Sequence, residues 1–187
     1  MHNDLQFEKE FWGDCCNTFG EDQKHYIYGN LMGLSGDSHF SYDAQNKKIL
    51  DIGGGPASIL LKTYNLAKGK VCDPIDYPQW TKDRYAYKNI DVQVIGGEDI
   101  DETGWDEVWI YNVMQHCEDP EKIIKNALRA AKVLRIFEWI DIPSHEGHPH
   151  MLTQKLLEDC IGQTGDVKRL LGQNGCYGKC FYGNFLL

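Results

Sequence analysis

The chain lacks the features that would remove it from the ordinary soluble class. No apolar run approaches the ~20 residues that a membrane span requires, so no membrane partner is expected. The N-terminus, Met1-His2-Asn3-Asp4-Leu5-Gln6, has neither a basic flank nor an apolar segment, so no secretory signal is visible and a cytoplasmic setting is expected. Cysteine occurs seven times, an odd number, and a chain of 187 residues with a clear apolar pattern does not depend on disulfide staples. Free thiols are therefore expected. Cys176 and Cys180 are close and Cys15 and Cys16 adjacent, but no second pair stands at a zinc-site spacing, so no structural metal is expected. Positive charge is in deficit, 19 Lys and Arg against 28 Asp and Glu, and a net charge of −9 repels a phosphate backbone. Nucleic acid is disfavoured as a partner. Repeats and low-complexity tracts are also missing.

What is present is a globular composition, 42% apolar and 25% charged, in a length that suits one domain over 1–187 with one site. Residues 1–40 read as an N-terminal helical segment that could close over a site. Within it, Ile27, Leu31 and Leu34 fall on one helix face across 21–34. Gly33, Gly36 and the polar run 38–48 then read as a loop. From Lys48 the pattern alternates. Strands are expected at 48–52, 70–72, 92–95, 107–111, 133–140, 167–171 and 177–187. Helices are expected at 57–67, weakly at 77–87, at 120–131 with Pro120 in the first turn, and at 151–161. Such alternation implies an α/β fold with a mostly parallel sheet covered on both faces.

The strongest local signal is Ile49-Leu50-Asp51-Ile52-Gly53-Gly54-Gly55-Pro56-Ala57-Ser58, an apolar strand that breaks into glycines before an expected helix. Glycines let the backbone approach a ligand closely, and a helix start offers free N–H donors. The turn lacks the Gly-Lys-Ser/Thr ending of a triphosphate loop and the Gly-x-Gly-x-x-Gly spacing of a dinucleotide site. An acid inside it, Asp51, suits an amino group better than a pyrophosphate. Asp73 follows about 20 residues later at a strand end, where a carboxylate can accept from ribose hydroxyls. A ribose bearing a cationic amino-acid tail is implied.

On these residues the chain resembles the class I S-adenosylmethionine-dependent methyltransferases, in the small-molecule branch with a Leu-Asp-Ile-Gly-Gly-Gly motif, over roughly residues 48–140. The resemblance implies a Rossmann-like three-layer sandwich, a mostly parallel seven-stranded sheet with an antiparallel last strand, with S-adenosylmethionine as cofactor and core residues 48–187. It places Asp51, Gly53, Gly54 and Gly55 at the methionine portion, Asp73 at the ribose, and Glu98 or Asp99 at the adenine amino group. The segment Trp105-Asp106-Glu107-Val108-Trp109-Ile110-Tyr111-Asn112-Val113-Met114-Gln115-His116, followed by an acid and Pro120, resembles the family's fourth strand. Asn112, Val113 and Met114 are then implied to line the cofactor floor, with His116 near the transferred methyl. Arg129-Ala130-Ala131-Lys132 stands where the family usually has a Gly-Gly turn.

His116 reads equally as a general base, since imidazole titrates near neutral pH, and as a helix-orienting residue. The loop His145-Glu146-Gly147-His148-Pro149-His150 reads as a substrate-facing loop, because its glycine and proline break the helical spacing a His pair needs for metal. Tetrads and Pro-Cys motifs of base-modifying enzymes are missing, which favours methyl transfer to an O or N atom of a small-molecule acceptor. A noncatalytic S-adenosylmethionine-binding or activating subunit, a nucleic-acid or protein methyltransferase and a nicotinamide-dependent dehydrogenase are the rival readings, the dehydrogenase being disfavoured by Asp51 and the glycine spacing. The identity of the acceptor and the oligomeric state are not written in the sequence.

Overall fold

The computed structural model describes residues 3–37 and 40–187, so the Ser38 and His39 part of the expected loop lies outside the described residues. Two helices come first, α1 (Asn3–Trp12) and α2 (Glu21–Leu31). The sheet is then built from β1 (Tyr42–Ile52), β2 (Thr63–Asp73), β3 (Ile90–Val94), β4 (Trp105–Tyr111), β5 (Ala131–Trp139), β6 (Asp166–Gln173) and β7 (Cys176–Leu186). Helices α3 (Gln79–Tyr87), α4 (Pro120–Ala130) and α5 (Gln154–Ile161) lie between strands in sequence. The seven strands form one sheet in the order β3-β2-β1-β4-β5-β7-β6. All pairs from β3 to β5 are parallel, whereas β7 runs antiparallel to both β5 and β6. This is the three-layer Rossmann-like arrangement expected, with the reversed strand inserted beside β5.

Strand alternation assigns the two faces. In β1, Leu50 and Ile52 join a core with Ile123, Ile124, Ala127 and Leu157 of α4 and α5. Ile49 faces the opposite way, toward Tyr28 and Met32 beside α2 and Tyr85 of α3. Successive side chains on a strand point to opposite faces, so Asp51 shares the α2–α3 side with Ile49. Helix α4 is fixed at its start by Asp119, whose carboxylate accepts from Lys122 N at 2.9 Å, with Pro120 in the first turn. Thr153 caps α5 in the same way, and Gly162 ends it in the left-handed conformation.

One expected helix is not there. Residues 57–67 hold only a four-residue 3-10 turn, Ile59–Lys62, before β2 begins at Thr63. The run Thr63-Tyr64-Asn65 has poor helix propensity, and the pairing of Thr63 and Tyr64 with Tyr42 and Asp43 of β1 recovers more for it than an isolated helix would. Ile59 and Leu60 are fully buried under the turn, which supplies the cover a longer helix would otherwise give. β1 likewise starts earlier than expected, at Tyr42, with a register irregularity near Gln45 and Asn46, both at positive φ. No helix among the described residues is long and apolar enough to cross a membrane.

Candidate functional site

A cavity of about 890 Å³ opens over the carboxyl ends of β1 to β5. Open α/β sheets bind ligands there because the strand order reverses beside β1 and leaves a crevice between the diverging loops. Gly53, Gly54 and Gly55 form its floor. A Cβ on Gly53 would lie 2.5 Å from Val113 Cγ1, one on Gly54 would lie 2.7 Å from Asp51 Oδ2, and Gly53 and Gly55 both hold positive φ. The backbone therefore adopts a path here that side chains would block.

Asp51 is fully buried and does not line the cavity; it sits beneath the turn. Its Oδ2 accepts from Tyr111 Oη at 2.6 Å and from Ser58 Oγ, while Oδ1 is buried without a partner. Burial pushes its carboxyl up to about 7, against the lowering pull of Ser58 and Tyr111. Tyr111 Oη in turn accepts from Ile59 N at 2.9 Å, and Tyr85 Oη accepts from Ser58 N at 2.8 Å while donating to Gly55 O at 2.7 Å. Two phenols from β4 and α3 thus hold the short turn that stands where the helix was expected.

Asp73, at the end of β2, lines the cavity. Its Oδ2 accepts from Gly55 N at 3.1 Å and its Oδ1 from Ile75 N at 2.9 Å. Burial raises its carboxyl to about 6, against those two amides and the Tyr77 hydroxyl. Glu98 and Asp99 line the cavity beyond β3. Glu98 Oε1 accepts from Glu118 N at 3.0 Å and Asp119 N at 3.3 Å, whereas Asp99 reaches outward to Lys122 at 3.4 Å. Asn126 of α4 donates to the Gly97 and Glu98 carbonyls and fixes that loop.

After β4, Asn112 and Val113 line the cavity, but Met114 is fully buried in the core below it. Asn112 sits at positive φ. The loop is held by a residue the sequence reading passed over: Glu138 of β5, fully buried, accepts from Val113 N at 3.0 Å and Met114 N at 3.2 Å. Burial raises its carboxyl to about 7, outweighing the two amides and the nearby His116 charge.

His116 also lines the cavity. Its Nδ1 lies 3.0 Å from Glu8 Oε1 of α1 and 2.7 Å from Gly147 O, and its ring meets His148 edge to face at 4.3 Å. Burial disfavours the charged ring, but the Glu8 hydrogen bond and charge and the Gly147 carbonyl prevail and hold its pKa above the usual value. The loop after β5 folds as a tight turn, with His145 and His148 exchanging backbone hydrogen bonds at 3.0 and 2.9 Å. Phe7 of α1 packs directly under Gly147. Glu8, Tyr77, Tyr111 and Glu138 were all missed as site residues; for Glu138 the visible signal was a charge inside an apolar strand.

No family model matches the chain, and no curated protein does. Solved structures do. The N-methyltransferase NodS from Bradyrhizobium japonicum, in complex with S-adenosyl-L-homocysteine, matches with a TM-score of 0.64 at 14% identity, covering 100% of this chain and 98% of its own. The fold is that of the class I S-adenosylmethionine-dependent methyltransferases. Magnesium protoporphyrin IX methyltransferase from Synechocystis, with bound S-adenosylmethionine, gives a TM-score of 0.60 at 14% identity over 96% and 91% of the two chains. A methyltransferase dependent on the same cofactor from Aquifex aeolicus gives 0.58 at 16% identity over 91% and 94%. These likenesses cover between 91% and 100% of this chain.

Proposed function

We propose that the chain binds S-adenosylmethionine over the glycine turn and transfers its methyl group to an O or N atom of a small-molecule acceptor. One observation carries this reading. The unblocked glycine turn after β1 and the cavity-facing Asp73 after β2 stand side by side in one cavity, in a fold shared with proteins solved with this cofactor or its product. The residues fit the group: glycine floor for close backbone approach, Asp73 for a ribose diol, Glu98 and Asp99 beyond β3 for an adenine amino group, and Asn112 and Val113 beside the turn. Asp51 acts from below, shaping the turn, with an unpaired oxygen as its remaining hydrogen-bonding capacity.

When bound, the cofactor supplies a sulfonium-activated methyl group that a nucleophile can take. The chain's task is then in-line placement and removal of a proton. Both Nδ1 partners of His116, a carboxylate and a carbonyl, are acceptors, so Nδ1 carries the proton and Nε2 is left as the basic atom. Among the described residues, Nε2 meets the Gln115 amide alone, at 3.3 Å, a long contact that an incoming donor can displace. His116 in this tautomer can accept a proton from the acceptor.

The test is a thermal shift with S-adenosylhomocysteine. A ligand specific to the folded state raises the melting temperature, and Asp73→Ala should weaken binding by about 1.5–3 kcal/mol per lost charged hydrogen bond. No shift at saturation refutes the cofactor reading.

A further inference from the structure

The cofactor reading uses the cavity from β3 across to β1 and the loop after β4. The rest of the cavity, over β4 and β5 and against α2, is a separate wall of His25, Tyr28, Tyr111, Trp139, Ile142 and Tyr177. Its back is rigid. Tyr28 stacks on Phe137 at 4.1 Å and 26°, and Trp139 stands nearly perpendicular to both, at 5.1 Å from Phe137 and 6.4 Å from Tyr28. His25 meets Tyr111 edge to face at 5.7 Å.

Glu21 and Lys24 of α2 line the same part of the cavity, paired with each other at 2.8 Å, and His25 is the neutral polar ring beside them. It is 4% exposed, lines the cavity, and its Nδ1 is buried with no hydrogen-bond partner. Leaving an imidazole nitrogen buried and unpaired costs stability, so its retention calls for a reason other than packing. Burial, with Lys62 and Lys24 nearby, lowers its pKa to about 3, so the ring is neutral at physiological pH. The charges around it are already paired: Lys24 with Glu21 at 2.8 Å and Lys62 with Asp22 at 2.8 Å. Among the described residues, a carboxylate or phosphate ligand would meet Lys24 only in competition with Glu21, already paired to it.

Resting on the cofactor reading, we infer that this wall is the acceptor pocket and that it takes an uncharged, flat aromatic molecule with one hydrogen-bonding edge, stacked against Trp139 and Tyr177 in front of the buried Tyr28 and oriented by His25. Aromatic walls favour ring faces over aliphatic bulk, and a neutral imidazole gives direction without demanding charge.

The full chain, saturated with S-adenosylhomocysteine, is titrated calorimetrically with 1-naphthol and with cyclohexanol. Naphthol should bind and cyclohexanol should bind at least about tenfold more weakly. His25→Leu should lower naphthol affinity about tenfold while leaving S-adenosylhomocysteine affinity unchanged and the melting temperature unchanged or higher, the last being a result that a structural histidine would not give. Tyr177→Ala, at a residue 72% exposed and so neutral to folding, should lower naphthol affinity a few fold. Equal binding of the two probes, or naphthol affinity indifferent to both substitutions, overturns the pocket. If naphthol behaves as expected without S-adenosylhomocysteine and the latter never binds, the cofactor reading fails and the aromatic pocket stands.

Discussion

Glu138→Gln probes how a buried carboxylate shapes the loop after β4. Glu138 is fully buried, and its pKa of about 7 stands well above its ordinary value of 4.5 because burial outweighs the Val113 and Met114 amides and the His116 charge. The folded state therefore binds this proton more tightly than the unfolded chain does. Its contribution to stability is fully present below about pH 4.5 and is lost as the pH rises through about 7. Between about pH 5 and about pH 8 the loss amounts to about 2.5 kcal/mol, taking about 1.4 kcal/mol per unit. Glutamine cannot titrate, so this part of the pH dependence should disappear. At low pH the variant should be the less stable, by about 1–2 kcal/mol, because an amide nitrogen now faces one of the two backbone donors. Towards high pH that deficit should shrink or reverse. Urea unfolding of both proteins across this range measures it directly. Asp51 and Asp73 titrate in the same direction and remain in both proteins, so the wild-type curve will still fall; the difference between the curves carries the test. Parallel curves would refute the assignment of a raised pKa to Glu138.

Two other outcomes follow from the hydrogen bonds around the site. Tyr111→Phe removes the donor to Asp51 Oδ2 and the acceptor for Ile59 N, and should destabilise the protein by about 1–3 kcal/mol in urea, with a loss of S-adenosylhomocysteine affinity as the turn loosens. Unchanged stability would mean the turn is held by other contacts. Glu8→Gln removes the largest influence raising the His116 pKa and should lower the titration midpoint of that ring in a nuclear magnetic resonance pH series. A midpoint that does not move would separate α1 from the chemistry of His116.

The alternation of strands and helices and the glycine turn were legible because both are local: an apolar run ending in glycines, then an acid about 20 residues on at the next strand end. Asp73 was found this way, and the structure brings it to the cavity with Gly53, Gly54, Gly55, Glu98 and Asp99. Asp51 and Met114 were read as facing the ligand but are turned away from the cavity, since strand alternation and core packing decide orientation at a resolution that motif spacing does not. The helix expected over 57–67 failed for a related reason: of its apolar residues, Ile59, Leu60 and Leu61 lie in a single 3-10 turn, while Leu66 belongs to the part that pairs in the sheet from Thr63 on. Glu138 and Arg135 stood in plain view as charges in an apolar strand; their partners, the amides after β4 for one and Glu107 at 2.6 Å for the other, lie more than twenty residues away in sequence. Glu8 had no local signal at all.

The phenol hydroxyls that hold the glycine turn come from chain segments 27 and 52 residues downstream. A helix in that place would have carried its own backbone ladder and could have formed while the rest of the chain was still open. This turn has almost no ladder of its own, so its geometry exists only once α3 has docked and β4 has paired with β1. The order of events during refolding is thereby constrained: the sheet centre must come together before the ligand floor does. The Ser58 and Ile59 amides, locked by those distant hydroxyls, should then be released to solvent only together with the sheet itself, and ligand competence should appear at the close of folding rather than part-way through it.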